Sequence, residues 1–448
     1  MKIRRLLIRN FKCFEEIDVD IGEHAFLIGS NNAGKTGLLQ ALALWHAGVL
    51  KLRQKRGKPG TATLHPSDLL ISPVPHANLL WHQLRTRHGK SAVPIEIAVD
   101  GESWHCGLRF NYANEASLYC RISCQDDAQR STLPQEATNL RMAFLAPISG
   151  LASVEPRVDS ARLRALIGEG QTALVLRNLC YLLCYPDEGR SPSPAWQEFA
   201  AQIDDLFGMT ILPPRYVPAR GEIRMSYREG GVEYDLSSAG RGVLQTMLVL
   251  AYMRMHPSTV LLLEEPDAHL EPLRQRQICS LLLETARKQG CQLIVNTHSE
   301  VVIEEASADD AVIMLIRDED GHRAYRVSRG CDPIDQWLAR QCGLVLYLES
   351  PADLIALQTL ARRLNHPAQR YLDRPFVKYL DPAAAQAHFS ALRRVAPDLD
   401  GLAIYDSHMS TQHHDALRVL QWRRPASVVE GHRPADIQAL NSIMNISL

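Results

Sequence analysis

GSNNAGKT, Gly29 to Thr36, decides how the rest of the chain is read. It satisfies the spacing GxxxxGK[ST]. It lies between a short apolar run, His24 to Ile28, and a stretch with helical apolar spacing, Gly37 to Leu50. The motif has meaning only in that strand, loop, helix context. Gly29 and Gly34 permit backbone angles and close approaches that a Cβ would block. The amides of the loop, through Ser30, Asn31, Asn32 and Ala33, then turn inward as an anion nest at a helix N-terminus. Lys35 is placed to reach the β- and γ-phosphates, and Thr36 to offer its hydroxyl to Mg²⁺. The loop therefore predicts ATP with Mg²⁺ as its ligands.

Three further segments fit this loop. In VLLLEEPDAHLEP, Val260 to Pro272, a buried strand ends in two carboxylates. Glu264 is expected to hold the Mg²⁺ shell, and Glu265 to act as general base for the attacking water, because phosphoryl transfer needs an oriented water and little covalent chemistry. LSSAGRG, Leu236 to Gly242, precedes a helix. Ser237 and Ser238 either cap that helix or form, with Ala239 and Gly240, a second phosphate-binding helix N-terminus. IVNTHSE carries His298 at the end of another buried strand, suited to contact a γ-phosphate.

The chain has 448 residues, 46% hydrophobic and 22% charged, an ordinary globular balance. Mean hydropathy is -0.16, and no run approaches the ~18–20 apolar residues of a membrane span. The N-terminal run is too short and too broken by Arg and Lys for a secretory signal. A cytoplasmic protein without a membrane partner is expected. Net charge is -1, so contact with nucleic acid must come from local patches. Lys51 to Lys58 reads as one such basic loop. The ten Cys contain no CxxC pair and read as reduced thiols.

Alternation from Ile3 to Ile21 predicts two strands. Ala92 to Val99 and Trp104 to Leu118 predict antiparallel strands, and Ser160 to Tyr185 predicts one helix. The reading assigns residues 1–330 to an ATPase domain, 331–343 to a linker and 344–448 to a second α/β domain.

The order GSNNAGKT, LSSAGRG, LLLEEPDAHLEP, NTHSE resembles an ABC-type ATPase head of the SMC and recombination-repair kind. EEPDAHLEP, NTHSEVV and LAPISGL (Leu145 to Leu151) are similar to the OLD (overcoming lysogenization defect) family. The resemblance implies an ABC-type P-loop head, a mixed sheet with helices on both faces, followed by a TOPRIM-like domain. It implies that Ser238, Ala239 and Gly240 of one subunit cap ATP held by another, with Asp267 and His269 in the loop facing the partner.

YLESPADLIALQTLA, Tyr347 to Ala361, resembles the first strand and helix of a TOPRIM domain. Glu349 and Asp353 match its E-G-x-x-D pattern, with Ser350 in place of Gly. GLAIYDS resembles the strand ending in D-x-D: Asp406 matches, and His408 stands where the second Asp would be. Glu349, Asp353 and Asp406 are the metal ligands this likeness implies, in a domain that reads as partial, degenerate and abbreviated. The implied functions are an ATP-dependent DNA endonuclease in phage defence, or an ATP-gated homodimeric scaffold that recruits DNA or an effector protein. A transporter ATPase subunit fits the acidic loop and the second α/β domain less well.

Overall fold

In a computed structural model the structure describes residues 2–54, 61–65, 68, 74–123, 132–148, 150–186, 191–268, 270–299, 305–307, 309–318, 321–327, 333–372, 375–394, 396–405 and 417–421. The chain forms two units, Met1–Arg326 and Val327–Leu448.

The first unit is built around the helix that follows the glycine loop, Lys35–Gln54. One face of this helix lies on a six-stranded antiparallel sheet. In spatial order its strands are Phe14–Asp20, Arg5–Phe11, Ile95–Asp100, His105–Asn114, Ser117–Ile122 and Thr61–Leu64. Gly48 allows the close approach: a Cβ there would stand 2.8 Å from Leu108 Cδ1 and 2.9 Å from Cys120 Sγ. The Trp45 indole donates to the Cys106 carbonyl at 2.9 Å, so this buried ring keeps its hydrogen bond.

The same helix also packs on a second six-stranded sheet, in the order Arg141–Leu145, Thr259–Glu264, Gln292–Asn296, Ala25–Ile28, Ala311–Asp318, Gly321–Arg326. The first five strands are parallel and the last is antiparallel. Strands buried on both faces read as continuous apolar runs, as Leu261, Leu262 and Leu263 do. Val260, Leu262 and Ile294 join the core of the Lys35–Gln54 helix. Leu293 and Val295 point the other way, toward Ile278 and Leu282 of the helix Pro272–Gln289. This is a mixed α/β fold, with helices on both faces of its largely parallel sheet.

Gly29 ends the strand Ala25–Ile28 at φ +138°, and a Cβ on it would lie 2.1 Å from the Leu315 carbonyl oxygen of the neighbouring strand. Only glycine can turn the chain there.

Two local expectations are corrected. The basic loop begins late: the helix runs on to Gln54, with Lys51 paired to Asp68 at 2.8 Å and Arg53 donating to the Thr138 carbonyl at 2.9 Å. Residues 55–60 lie outside the described residues. The single helix expected over Ser160 to Tyr185 is two, Ser160–Gly168 and Leu176–Cys184, because Gly170 at φ +69° reverses the chain between them. Among the described residues no helix is long and apolar enough to cross a membrane.

The second unit holds a four-stranded parallel sheet in the order Phe376–Tyr379, Leu344–Leu348, Asp400–Tyr405, Leu417–Gln421. Leu346 and Leu348 face the helix Pro351–Arg363, while Val345 and Tyr347 face Pro382–Arg393. Residues 333–342, within the expected linker, form a helix that packs in this unit. It delivers Asp335, which is buried and accepts from Lys378 Nζ at 2.6 Å. Asp335 also lies 3.0 Å from His388 Nε2, and His388 Nδ1 meets the Tyr347 hydroxyl at 2.9 Å.

Burial alone would raise the Asp335 pKa, but His388 and Lys378 outweigh it and hold the carboxyl below its ordinary 3.8. A depressed native pKa gives stability that is complete above the unfolded value and is lost as pH falls through the native one. Protection of the Leu344–Leu348 amides, taken relative to their intrinsic exchange rates, should therefore fall as the pH drops below about 4. Asp335→Asn should exchange faster at neutral pH and show a flatter acid response. Equal acid slopes in the two proteins would contradict the assignment.

Candidate nucleotide site

The glycine loop is seated by its own lysine. Lys35 Nζ donates to the carbonyls of Gly29 at 2.7 Å and Ser30 at 3.0 Å. The side chain is buried, and burial lowers its pKa while the Glu265 carboxylate opposes the shift. Gly34 sits at φ +100°, where a Cβ would come within 2.6 Å of the Phe14 ring. Asn32 also takes a positive φ, +65°, a conformation Asn tolerates better than most residues. Ser30, Asn31 and Asn32 are exposed and Ala33 is buried.

The strand Gln292–Asn296 lies between the loop's strand and the strand ending in Glu264, and pairs in parallel with both. The C-terminal ends of all three strands therefore converge. The Thr36 hydroxyl donates to Glu264 Oε1 at 2.5 Å across 228 positions of sequence, and Asn296 Nδ2 stands 3.4 Å from the same hydroxyl.

Glu265 leaves the strand at φ +45°, with its amide bonded to the Asn296 carbonyl at 2.8 Å. A non-glycine residue there stores strain of about 1–3 kcal/mol. The turn places the Glu265 carboxylate 3.4 Å from His298 Nε2. Both residues line a cleft of about 1200 Å³ together with the glycine loop. All the residues expected from Gly34 to Thr36, with Glu264, Glu265 and His298, thus meet at one place.

Several cleft residues escaped sequence reasoning. Lys12 and Cys13 come from the turn between the first two strands, His82 and Gln83 from a short turn near residue 82, and Arg317, His322 and Arg323 from the last two sheet strands. None carries a motif. The dense basic character of the strand ends at Arg317 and Arg323 is the only signal that could have pointed to them. Burial raises the Cys13 thiol to about 11, so it is a thiol rather than a thiolate at neutral pH.

Asp267 does not face outward as expected. It is buried, accepts from the Thr297 hydroxyl at 2.8 Å, and burial raises its pKa. Its role is to tie the acidic turn to the strand end that carries His298. His269 lies outside the described residues.

Ser237 and Ser238 form a single 3-10 turn capped by Asp235, whose Oδ1 accepts from the Ser237 amide at 2.9 Å and the Ser237 hydroxyl at 2.6 Å. Neither serine caps the helix Arg241–Met255. Its N-cap is Gly240, with no side-chain cap, so the first amides of this helix are open. Ser237, Ser238 and Gly240 are exposed and Ala239 is buried. None of these four lines the cleft of its own chain.

Buried Arg177 holds the turn from behind, reaching Asp235 Oδ1 at 3.1 Å and the Ala152 carbonyl at 2.7 Å. Gln245 of the same helix accepts from the Ile148 amide at 2.8 Å, which joins LAPISGL to the serine-glycine turn.

In the second unit Glu349 is exposed just beyond the strand Leu344–Leu348. Burial first, then the nearby Asp381 and Glu349 carboxylates, raises the Tyr405 phenol. Asp353 is buried and its Oδ2 accepts from the Ser350 amide at 2.9 Å and hydroxyl at 2.8 Å, closing a capping box. Asp406 and His408 lie outside the described residues. Among the described residues no group of three or more acidic, His or Cys side chains has the geometry of a metal site.

Residues 184–304 match the family described as "AAA domain, putative AbiEii toxin, Type IV TA system", and residues 1–49 match "AAA ATPase domain". An OLD nuclease of Thermus scotoductus is 22% identical over 71% of this chain and 65% of its own length. The chain thus spans about 65% of that curated relative.

Among solved structures, an SMC head bound to the C-winged helix domain of ScpA is 14% identical, with a TM-score of 0.43 over 74% of this chain and 98% of that one. The SMC head domain from Thermotoga maritima is 15% identical, with a TM-score of 0.40 over 73% of this chain and 100% of that one. Over most of its length the chain is similar to an OLD nuclease, and over residues 1–49 and 184–304 it is similar to AAA domain families.

Proposed function

We propose that this chain binds ATP at the glycine loop, hydrolyses it between two copies of itself, and uses the cycle to act on DNA. The observation that carries the reading is the contact of Thr36 with Glu264, which brings the loop and the acidic strand end to one cleft beside Lys35, Glu265 and His298. The loop amides from Gly29 to Thr36 and the Lys35 ammonium hold the β- and γ-phosphates. Thr36 and Glu264 offer a hydroxyl and a carboxylate, hard oxygen donors of the kind Mg²⁺ prefers. Bound there, the ion would offset phosphate charge.

Glu265 accepts a proton as water attacks the γ-phosphorus. The new bond forms from that water oxygen, and the bond to the β–γ bridging oxygen breaks, so ADP leaves with the electron pair. His298 orients the Glu265 carboxylate and donates toward the γ-phosphate.

The open helix N-terminus at Ser237, Ser238, Ala239 and Gly240 seals the phosphate on the partner copy. The exposure of Ser237, Ser238 and Gly240, none of which lines the cleft of its own chain, supports this. A turn that prefers triphosphate over diphosphate would couple closure to ATP and opening to hydrolysis.

DNA as the target, and cleavage by a metal at Glu349, Asp353 and Asp406, rest on similarity to the OLD nuclease. The capping of Asp353 favours a second reading, in which the second unit packs without cleaving and the closed head recruits DNA or an effector protein.

ATP binding, ATP turnover, sedimentation and plasmid cleavage measured side by side test the proposal. Lys35→Ala should lose ATP affinity. Glu265→Gln should bind as wild type and turn over about 10²-fold or more slowly. With ATP the Glu265→Gln protein should sediment as a dimer, and adding Ser238→Arg should leave a monomer. Equal loss of ATP affinity in Lys35→Ala and Glu265→Gln would overturn the roles. Nicking that requires Glu349 selects the nuclease, and turnover with no nicking selects the scaffold.

A further inference from the structure

A second cavity, of about 830 Å³, lies along one face of the glycine-loop helix and opens at the other end of the parallel sheet. Gln40, Ala43, Leu44, Ala47 and Leu50 line it at the i, i+3, i+4, i+7 spacing of a helix face. Phe144 and Ile167 complete an apolar floor. Arg141 and Thr259, the paired first residues of two neighbouring strands, also line it. The nucleotide cleft stands at the C-terminal ends of those strands, so the two cavities are separate sites, although Gln40 borders both.

The polar lining is cationic. Arg53, Arg141 and Arg164 face Asp68, whose carboxylate is already paired with Lys51 at 2.8 Å. Arg53 is spent on the Thr138 carbonyl. Arg141 and Arg164 are exposed, and their guanidinium groups make no hydrogen bond or ion pair with any described residue.

Beside them Tyr252 is buried, with its ring 4.4 Å from that of His256. Burial pushes the Tyr252 phenol up to about 12, so it stays a neutral donor despite the two arginines. The same burial and the same arginines lower His256. His46, in the wall, is held neutral by burial at about 4 and donates to the Leu140 carbonyl at 3.2 Å. Ligand sites combine an apolar cavity of roughly 300–1,000 Å³ with a few convergent polar groups, and planar guanidinium forks suit phosphate and carboxylate.

We propose that this cavity binds a small organic anion whose ring system lies on the apolar floor and whose phosphate or carboxylate head is gripped by Arg141 and Arg164. The site is independent of what the glycine loop binds. Tyr252 donates to the head, and the His256 ring packs against that of Tyr252.

Anilinonaphthalene sulfonate, a fluorescent aromatic anion, serves as the probe, titrated into the full chain and into Lys35→Ala, which disables the other cleft and should leave this site unchanged. One saturable site per chain is expected. Arg141→Gln with Arg164→Gln should weaken it at least about tenfold. Both side chains are exposed, so this variant should fold. Ala47→Trp, which fills the floor, should abolish the signal, with thermal unfolding measured alongside.

Displacement by AMP but not by indole acetate assigns a phosphate head, and the reverse assigns a carboxylate. Wild-type affinity in both variants, or a probe that neither competitor displaces, would overturn the proposal.

Discussion

The strand Gln292–Asn296 is the constraint on which the rest depends. It separates the strand of the glycine loop from the strand of the two carboxylates, and pairs in parallel with each. Neighbouring strands are about 4.8 Å apart, so two steps set the loop and the carboxylates about 10 Å apart, with one strand end between them. That gap is what Thr36 and Glu264 span by hydrogen bond. Parallel pairing also brings all three C-terminal ends to one edge, where ligands of open α/β sheets bind. A single reversal of direction would carry Glu264 to the far end of the sheet and leave Thr36 with no acidic partner.

Two further elements act by holding that edge in shape. Asp267 is buried and accepts from the Thr297 hydroxyl, which ties the turn bearing Glu265 to the strand end bearing His298. Arg177, on the helix Leu176–Cys184, holds Asp235 at the serine-glycine turn, and Gln245, on the helix Arg241–Met255 that follows the turn, holds LAPISGL.

Much of the nucleotide edge was legible in the chain because its chemistry is local. The glycine spacing, the apolar run before Glu264 and the run before His298 are each contained within a few residues, and each was read correctly as strand, loop or helix. What was not legible is what distance in sequence hides. Lys12, His82, Arg317 and Arg323 reach the cleft from four separate segments. The positive φ of Glu265 has no sequence sign, since nothing but tertiary packing holds a Glu there. The burial of Asp267 was missed for a similar reason: in a run reading EEPDAHLEP every acid looks like a surface acid until Thr297 is brought beneath it. The helix expected from Ser160 to Tyr185 failed at Gly170, where apolar periodicity outweighed a glycine that in fact reverses the chain.

The central claim is that Thr36 and Glu264 serve one metal–nucleotide complex. It is tested most directly by a double-mutant cycle on nucleotide affinity, comparing Thr36→Ala, Glu264→Gln and the double variant with and without Mg²⁺. Residues that share one ion are coupled, typically by about 0.5–3 kcal/mol. Each single variant should therefore lose most of the Mg²⁺-dependent affinity, and the double variant should lose little more. Full Mg²⁺ enhancement in either single variant, or losses that simply add, would contradict it.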